Sequence, residues 1–278
     1  MSNKQSKAGG IQGLFAALVI PLCLVLGIVI WNFIMGNPSG FENSDPEKGP
    51  LPKEVIGTLN HYLAVMYKGG FVVPILLGSF FTVVVFAIER MITIGKSKGT
   101  GSVEGFIMRI RPLVASGNLD GAKAECAKQR GSVANVVSAG IDMYRSMQAD
   151  RELDKERKIM AIQKELEEAT TLELPMLSKN LVIISTIASI ATLLGLFGTV
   201  LGMIRAFSAL ATAGAPDAVA LSTGISEALI NTALGIGTSA LAIILYNYFT
   251  TKIDSITYGI DEAGYTIVQS FASTQKGH

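Results

Sequence analysis

Apolar positions in this chain fall into four long runs, separated by segments that are polar or mixed. The runs cover 11–35, 71–88, 181–204 and about 218–249. Each is near the ~20 residues needed to cross ~30 Å of hydrocarbon as a helix. Pro21 and several glycines interrupt the first; Gly69-Gly70 and Glu89-Arg90 bound the second. Residues 96–178 are too polar to span and carry helical periodicity. Across 151–173, Leu153, Met160, Ile162, Leu166, Ala169 and Leu172 recur at roughly helical spacing, and Asp154–Lys158 is a favourable i,i+4 pair. Pro175 is placed to kink this helix before the third run. After Lys252, Ile253, Ile256, Ile260, Ile267 and Phe271 allow one more amphipathic helix.

The pattern predicts an all-α integral membrane protein with four transmembrane helices and long helices extending into the cytoplasm. The expected divisions are an N-terminal segment and helix (1–36), a periplasmic loop (37–69), a second span (70–95), a cytoplasmic helical domain (96–178), spans three and four (179–250) and a C-terminal helix (251–278). Composition agrees: 49% of the 278 residues are hydrophobic and only 16% charged, against about 25% charged in soluble domains. Lys4 and Lys7 precede the first run, as in a signal peptide. The run is longer than a signal core of roughly 7–15 residues and no Ala-x-Ala site follows, so it reads as a retained span.

Lys and Arg set the orientation. The loop 37–68 holds three Lys, no Arg, and Pro38, Pro46, Pro50 and Pro52; the turn 208–222 has neither Lys nor Arg. Basic residues crowd the segment from Lys96 to Lys164. Both termini are therefore expected in the cytoplasm. A net charge of +1 gives no case for nucleic acid. Cys23 and Cys126 lie in unlike segments, which argues against a disulfide. His61 and His278 lack companion metal ligands, and Gly99, Gly101 and Gly105 do not follow a strand or precede a P-loop lysine. No nucleophile–base pair stands out, so an enzyme is not expected.

The last two spans differ from generic ones. In the third, Ser185, Ser189, Thr192, Gly195, Thr199, Gly202 and Ala206 form a stripe of small and hydroxyl side chains; in the fourth, Gly224, Ala228, Asn231, Gly235, Ser239 and Ala242 do the same. Such stripes, with the Gly198-x-x-x-Gly202 spacing, allow close helix contact in lipid. They do not account for Glu227, since a charge at the bilayer centre costs about 2.5–3.5 kcal/mol. Asn231 and Thr238 fall near its face, with Thr232 beside Asn231. Counting inward from the outer turn at 1.5 Å per residue puts Glu227 about 12 Å deep and Thr199 at a similar depth. Two readings stand: an acid that is protonated or hydrogen-bonded to Asn231 or a neighbouring subunit, or a group that lines or controls an ion pathway. Arg205 can snorkel to the outer interface; a static pair with Glu227 is allowed but not required.

LLGLFGTVLGMIRAF (193–207) followed by GISEALINTALGIGTSALAIILYNYF (224–249) resembles the channel domain of the MotA/TolQ/ExbB proton channel family, nearest its ExbB branch. The likeness covers roughly 150–252. It implies a bacterial inner-membrane motor subunit forming a homo-oligomer, a pentamer around a pore. The pore would hold a dimer of an ExbD-like protein whose aspartate carries the proton, and a TonB-like protein would pass the work to outer-membrane import. The transported ion would be the proton, with no cofactor. By residue, Thr199 and Thr232 match the family's pore threonines and Glu227 its glutamate. Ser189, Thr192, Gly195, Gly198, Gly202, Asn231 and Gly235 would line the pore or pack the helices. The chain departs from the family in carrying Thr192 where proline is common and in its extra N-terminal span. Related readings are a TolQ-like envelope-maintenance subunit, another stator, or a membrane scaffold without ion flux.

Overall fold

A computed structural model describes residues 2–38, 41, 59–212 and 218–274. Pro46, Pro50 and Pro52 of the first loop, the middle of the outer turn (213–217) and His278 lie outside the described residues, as do the side chains of Lys4, Lys7 and His61. The described chain is helical nearly throughout. α1 (Ser2–Val29) runs into a π-helical turn (Ile30–Met35). α2 (Leu59–Tyr67), α3 (Val72–Lys98), α4 (Val103–Ala115), α5 (Leu119–Gln129), α6 (Gly131–Ala149), α7 (Lys155–Ser178), α8 (Leu181–Thr212) and α9 (Ala218–Thr274) follow. Among the described residues, four helices are long and apolar enough to cross a membrane. The chain forms two compact units, Met1–Ala87 with Val182–Tyr246, and Ile88–Leu181 with Asn247–His278. α3 and α9 therefore contribute to both.

In the first unit, α1 lies against α3 through glycines. A Cβ on Gly27 would come within 2.8 Å of the Gly78 backbone nitrogen, and one on Gly78 within 2.9 Å of the Leu24 Cα. Near the start of the π-turn, Trp31 stacks on Tyr67 with centroids 4.8 Å apart and donates its indole N–H to the Tyr67 carbonyl at 3.3 Å. Met35, Val73 and Leu77 pack beneath. Leu18, Leu22, Phe33, Leu193, Leu196, Phe197, Leu229 and Ile236 are exposed. An apolar exterior on such a scale is what a lipid-facing bundle presents, and its helices satisfy their own backbone groups.

The second unit is a helical assembly of water-soluble pattern. Phe106, Ile110, Val137, Ile141, Ile162 and Leu166 are buried with Ile256, Ile260, Ile267 and Phe271 of α9. The tail expected as a separate helix from 251 is therefore the continuation of α9, because its apolar stripe finds a core to cover and nothing breaks the helix. Caps set the short helices: Ser102 accepts from Gly105 N at 3.0 Å, and Asn118 from Gly121 N at 2.9 Å. Two other expectations change here. α7 begins at Lys155, not at 151, because Asp154 caps it by accepting from Arg157 N at 2.8 Å. The Asp154–Lys158 pair is not formed. Lys158 is buried, and its ammonium donates to the Asp150 carbonyl at 2.6 Å.

Pro175 sits inside α7, and the chain breaks afterwards, at Lys179-Asn180. Arg90 supplies the stop. It is 1% exposed, donates to the carbonyls of Met176 (3.2 Å) and Leu177 (3.1 Å), and pairs with Glu89. Asn180 donates to the same carboxylate at 3.2 Å. A cation on the last carbonyls of a helix satisfies orphan acceptors and complements the dipole.

Candidate functional site

α8 and α9 approach within the first unit at glycine-to-backbone distance. A Cβ on Gly195 would lie 2.9 Å from the Asn231 carbonyl, one on Gly202 2.7 Å from the Gly224 carbonyl, and one on Gly235 2.7 Å from the Ala191 carbonyl. A Cβ on Gly224 would lie 2.8 Å from the Ala206 Cβ. Gly198 is a different case: the space where its Cβ would stand holds the Asn231 side chain, with Nδ2 2.7 Å away. The buried stripe of α8 runs Ala191, Gly195, Gly198, Gly202, Ala206; Ser189 and Thr192 lie on an adjacent exposed face and Ser185 is half-buried.

On this seam the Thr199 and Thr232 hydroxyls meet. Thr199 Oγ1 also lies 3.2 Å from the carbonyls of Gly195 and Ala228, and Thr232 Oγ1 lies 3.1 Å from that of Ala228. Each hydroxyl has one proton to donate and two lone pairs. Two hydroxyls with three acceptor contacts around them can therefore exchange donors by rotation alone. Both threonines are half-buried, so one flank of the pair stays open.

Glu227 is 3% exposed, and Arg205 Nη1 lies 2.8 Å from both of its carboxylate oxygens. The rest of the guanidinium reaches outward, with the Arg205 side chain 55% exposed. The turn between α2 and α3 closes over the pair. Gly70 has φ +76°, and a Cβ there would overlap Glu227 Oε1, 2.9 Å from Cδ and 3.3 Å from Arg205 Nη1. Its neighbour Gly69 accepts from Asn231 Nδ2 at 2.9 Å. The hydrogen-bond partner of Glu227 is thus Arg205, and Asn231 turns to the Gly69 carbonyl.

The depth of Thr199 also needs correction. It meets Thr232, five residues past Glu227, which is about 7.5 Å along the helix. α8 runs on to Thr212 and α9 starts at Ala218, so Thr199 is 13 residues from its helix end (212 − 199), Thr232 is 14 (232 − 218) and Glu227 only 9 (227 − 218). Sequence reasoning overlooked Gly69 and Gly70 as site residues. Their pairing just before an apolar run was visible, their target was not. Thr238 is buried, and Ser239 donates to the Ala188 carbonyl, extending the seam.

Such a bundle defines a class: polytopic helical membrane proteins with hydroxyls and an acid on a tight helix seam. Residues 131–262 match the model of the MotA/TolQ/ExbB proton channel family. It is similar to the Tol-Pal system protein TolQ of Haemophilus influenzae, 37% identical over 94 residues, covering 32% of this chain and 41% of that protein. The biopolymer transport protein ExbB of Pseudomonas putida is 37% identical over 93 residues, 34% of this chain and 26% of that protein. ExbB of Helicobacter pylori is 40% identical over 81 residues, 29% and 56%. The chain thus spans between about a quarter and just over half of these relatives' lengths.

Proposed function

We propose that the chain is an inner-membrane proton-channel and motor subunit of an ExbB–ExbD–TonB type complex. It acts without cofactor or enzymatic chemistry and uses the proton motive force to power import across the outer membrane. The reading makes it a homo-oligomer, a pentamer, around a dimer of an ExbD-like protein, with a TonB-like protein receiving the work and both termini in the cytoplasm. The helices of the second unit are then the cytoplasmic extension of the spans. The observation that carries the reading is the Thr199–Thr232 hydroxyl pair on the glycine seam, open on one flank. Rotating hydroxyls can solvate a neutral partner carboxyl and hand protons on through water. Glu227, clamped by Arg205, holds the outer end of the seam and tunes the path.

The test is pH-driven proton flux in liposomes holding the full chain with its ExbD-like partner. The Thr199→Val, Thr232→Val double variant keeps the volume and removes the relay, and flux should fall at least about tenfold, roughly 1.4 kcal/mol of barrier. Equal flux would reject these hydroxyls as the path and favour a non-conducting scaffold. A TolQ-like role in envelope maintenance is the second reading. It is favoured by the equal identity, 37%, to a TolQ and to an ExbB. Complementation of TonB-dependent uptake against complementation of envelope integrity separates the two.

A further inference from the structure

The second unit contains a cleft of about 480 Å³ between the end of α3, the start of α4 and residues 248–262 of α9. Ligand pockets run to about 300–1,000 Å³. Its floor is apolar, with Ile94, Ile107, Phe249 and Ile256. Four charges stand around it: Lys98 and Lys252, Glu104 and Glu262. All four side chains are exposed, and among the described residues none of them forms an ion pair with another. Lys252 rests its ammonium 5.6 Å from the centre of the Tyr248 ring. The N-terminus of α4 is already capped by Ser102, so the side chains, not the helix dipole, define the site.

The position of the cleft along the sequence says what would reach it. On α3 the apolar run ends at Glu89-Arg90, with Lys96 and Lys98 following; on α9 it ends in Tyr246, Tyr248 and Phe249 before Lys252. Aromatic residues followed by lysine mark the depth of lipid headgroups. Met91, which lines the cleft, is exposed, as are Ile88 and Ile92 on the same helix. An apolar track thus leads from the cleft along α3. A ligand for this site needs an apolar tail, an anion for two ammonium groups and a cation for two carboxylates.

We propose that this cleft binds an aminophospholipid, a phosphoethanolamine headgroup on a diacyl chain. Lys98 and Lys252 take the phosphate, and Glu104 and Glu262 accept hydrogen bonds from the primary ammonium. The acyl chain follows Met91 and Ile88. A phosphatidylcholine headgroup has the same charges but no N–H to donate, and a phosphatidylglycerol headgroup has no cation for the carboxylates. The site therefore discriminates among headgroups rather than merely attracting negative charge.

The experiment is native mass spectrometry of the delipidated full-length protein titrated with dioctanoyl phosphatidylethanolamine, phosphatidylglycerol and phosphatidylcholine. Retention of the ethanolamine lipid should exceed that of either other lipid by about tenfold. Lys98→Ala, Lys252→Ala should lower ethanolamine-lipid retention about tenfold, and Glu104→Gln, Glu262→Gln should erase the preference while leaving the glycerol lipid bound. All four positions are exposed, and thermal melting at the wild-type temperature verifies that the variants are folded. Equal retention of the three lipids, or a preference indifferent to the glutamate variants, overturns the proposal. Displacement of the lipid by free phosphoethanolamine at equal concentration also overturns it, because the tail would then contribute nothing.

Discussion

Replacing Gly70 by alanine should uncouple Glu227 from Arg205. The backbone there has φ +76°, and moving a residue with a Cβ into the left-handed region costs roughly 1–2 kcal/mol. The new methyl also overlaps Glu227 Oε1, so the carboxylate must withdraw by about an ångström, losing one or both of its 2.8 Å contacts with Arg205 Nη1. A hydrogen bond between charged groups is worth about 1.5–3 kcal/mol, and the lower value applies because the Arg205 side chain is half exposed. The total is about 3 kcal/mol. In a Glu227→Ala background the overlap is gone and only the backbone cost of about 1.5 kcal/mol remains, so a double-mutant cycle should give a coupling of about 1.5 kcal/mol. Denaturant unfolding of the full chain in detergent micelles measures it, with liposome flux as the functional companion. A cost for Gly70→Ala that is the same in both backgrounds would refute the clash and leave Gly70 as a turn residue only. No cost in either would refute both parts of the reasoning.

Arg90→Ala should destabilise the second unit by about 3–5 kcal/mol, because it strands the Met176 and Leu177 carbonyls and the Glu89 carboxylate. Thermal melting and limited proteolysis near residue 179 would register it, and a wild-type melt would contradict the capping role. Asp154→Ala should cost about 1 kcal/mol through the lost cap of α7, while Asp154→Asn keeps the acceptor and should cost little, read by the same melt. Burial pushes the Cys126 thiol up to about 12. It should therefore resist maleimide at neutral pH in the folded protein and react on unfolding. A folded-state value above the unfolded one means its contribution to stability is intact below the unfolded pKa of about 9 and lost as pH rises toward about 12. Rapid labelling of the native chain at pH 7 would oppose this.

The spans were legible because lipid imposes a composition, and composition needs no tertiary knowledge. The facing stripes of α8 and α9 were legible for a related reason: only small residues allow backbones to touch, and Gly195, Gly202, Gly224 and Gly235 stood at helical spacing. The register between them was not. It depends on where α8 ends, and nothing in residues 208–212 announces that the helix runs to Thr212. Five extra residues moved Thr199 from the level of Glu227 to that of Thr232. The partner of Asn231 was hidden for a different reason, since the Gly69 carbonyl belongs to a turn 162 residues away. Within α7, intrinsic propensity favoured an earlier start, but Asp154 in a capping conformation won over the preceding Arg151–Leu153. Lys158 looked like half of a surface pair because sequence shows only neighbours along a helix, not the carbonyl of Asp150 behind it.

The glycine seam also bears on how this protein can vary. Every single-base change in a glycine codon that alters the residue introduces a Cβ or stops translation. At Gly195, Gly202 and Gly235 that carbon would meet backbone atoms 2.7–2.9 Å away on the facing helix. No one-step neighbour in codon space preserves the contact, so drift at these codons needs a compensating shift of two helices at once. Two residues beyond Gly235, Gly237 has nothing within 4 Å of where a Cβ would stand. The same codon family on the same helix is thus free at one position and locked at the other, and only the facing backbone distinguishes them.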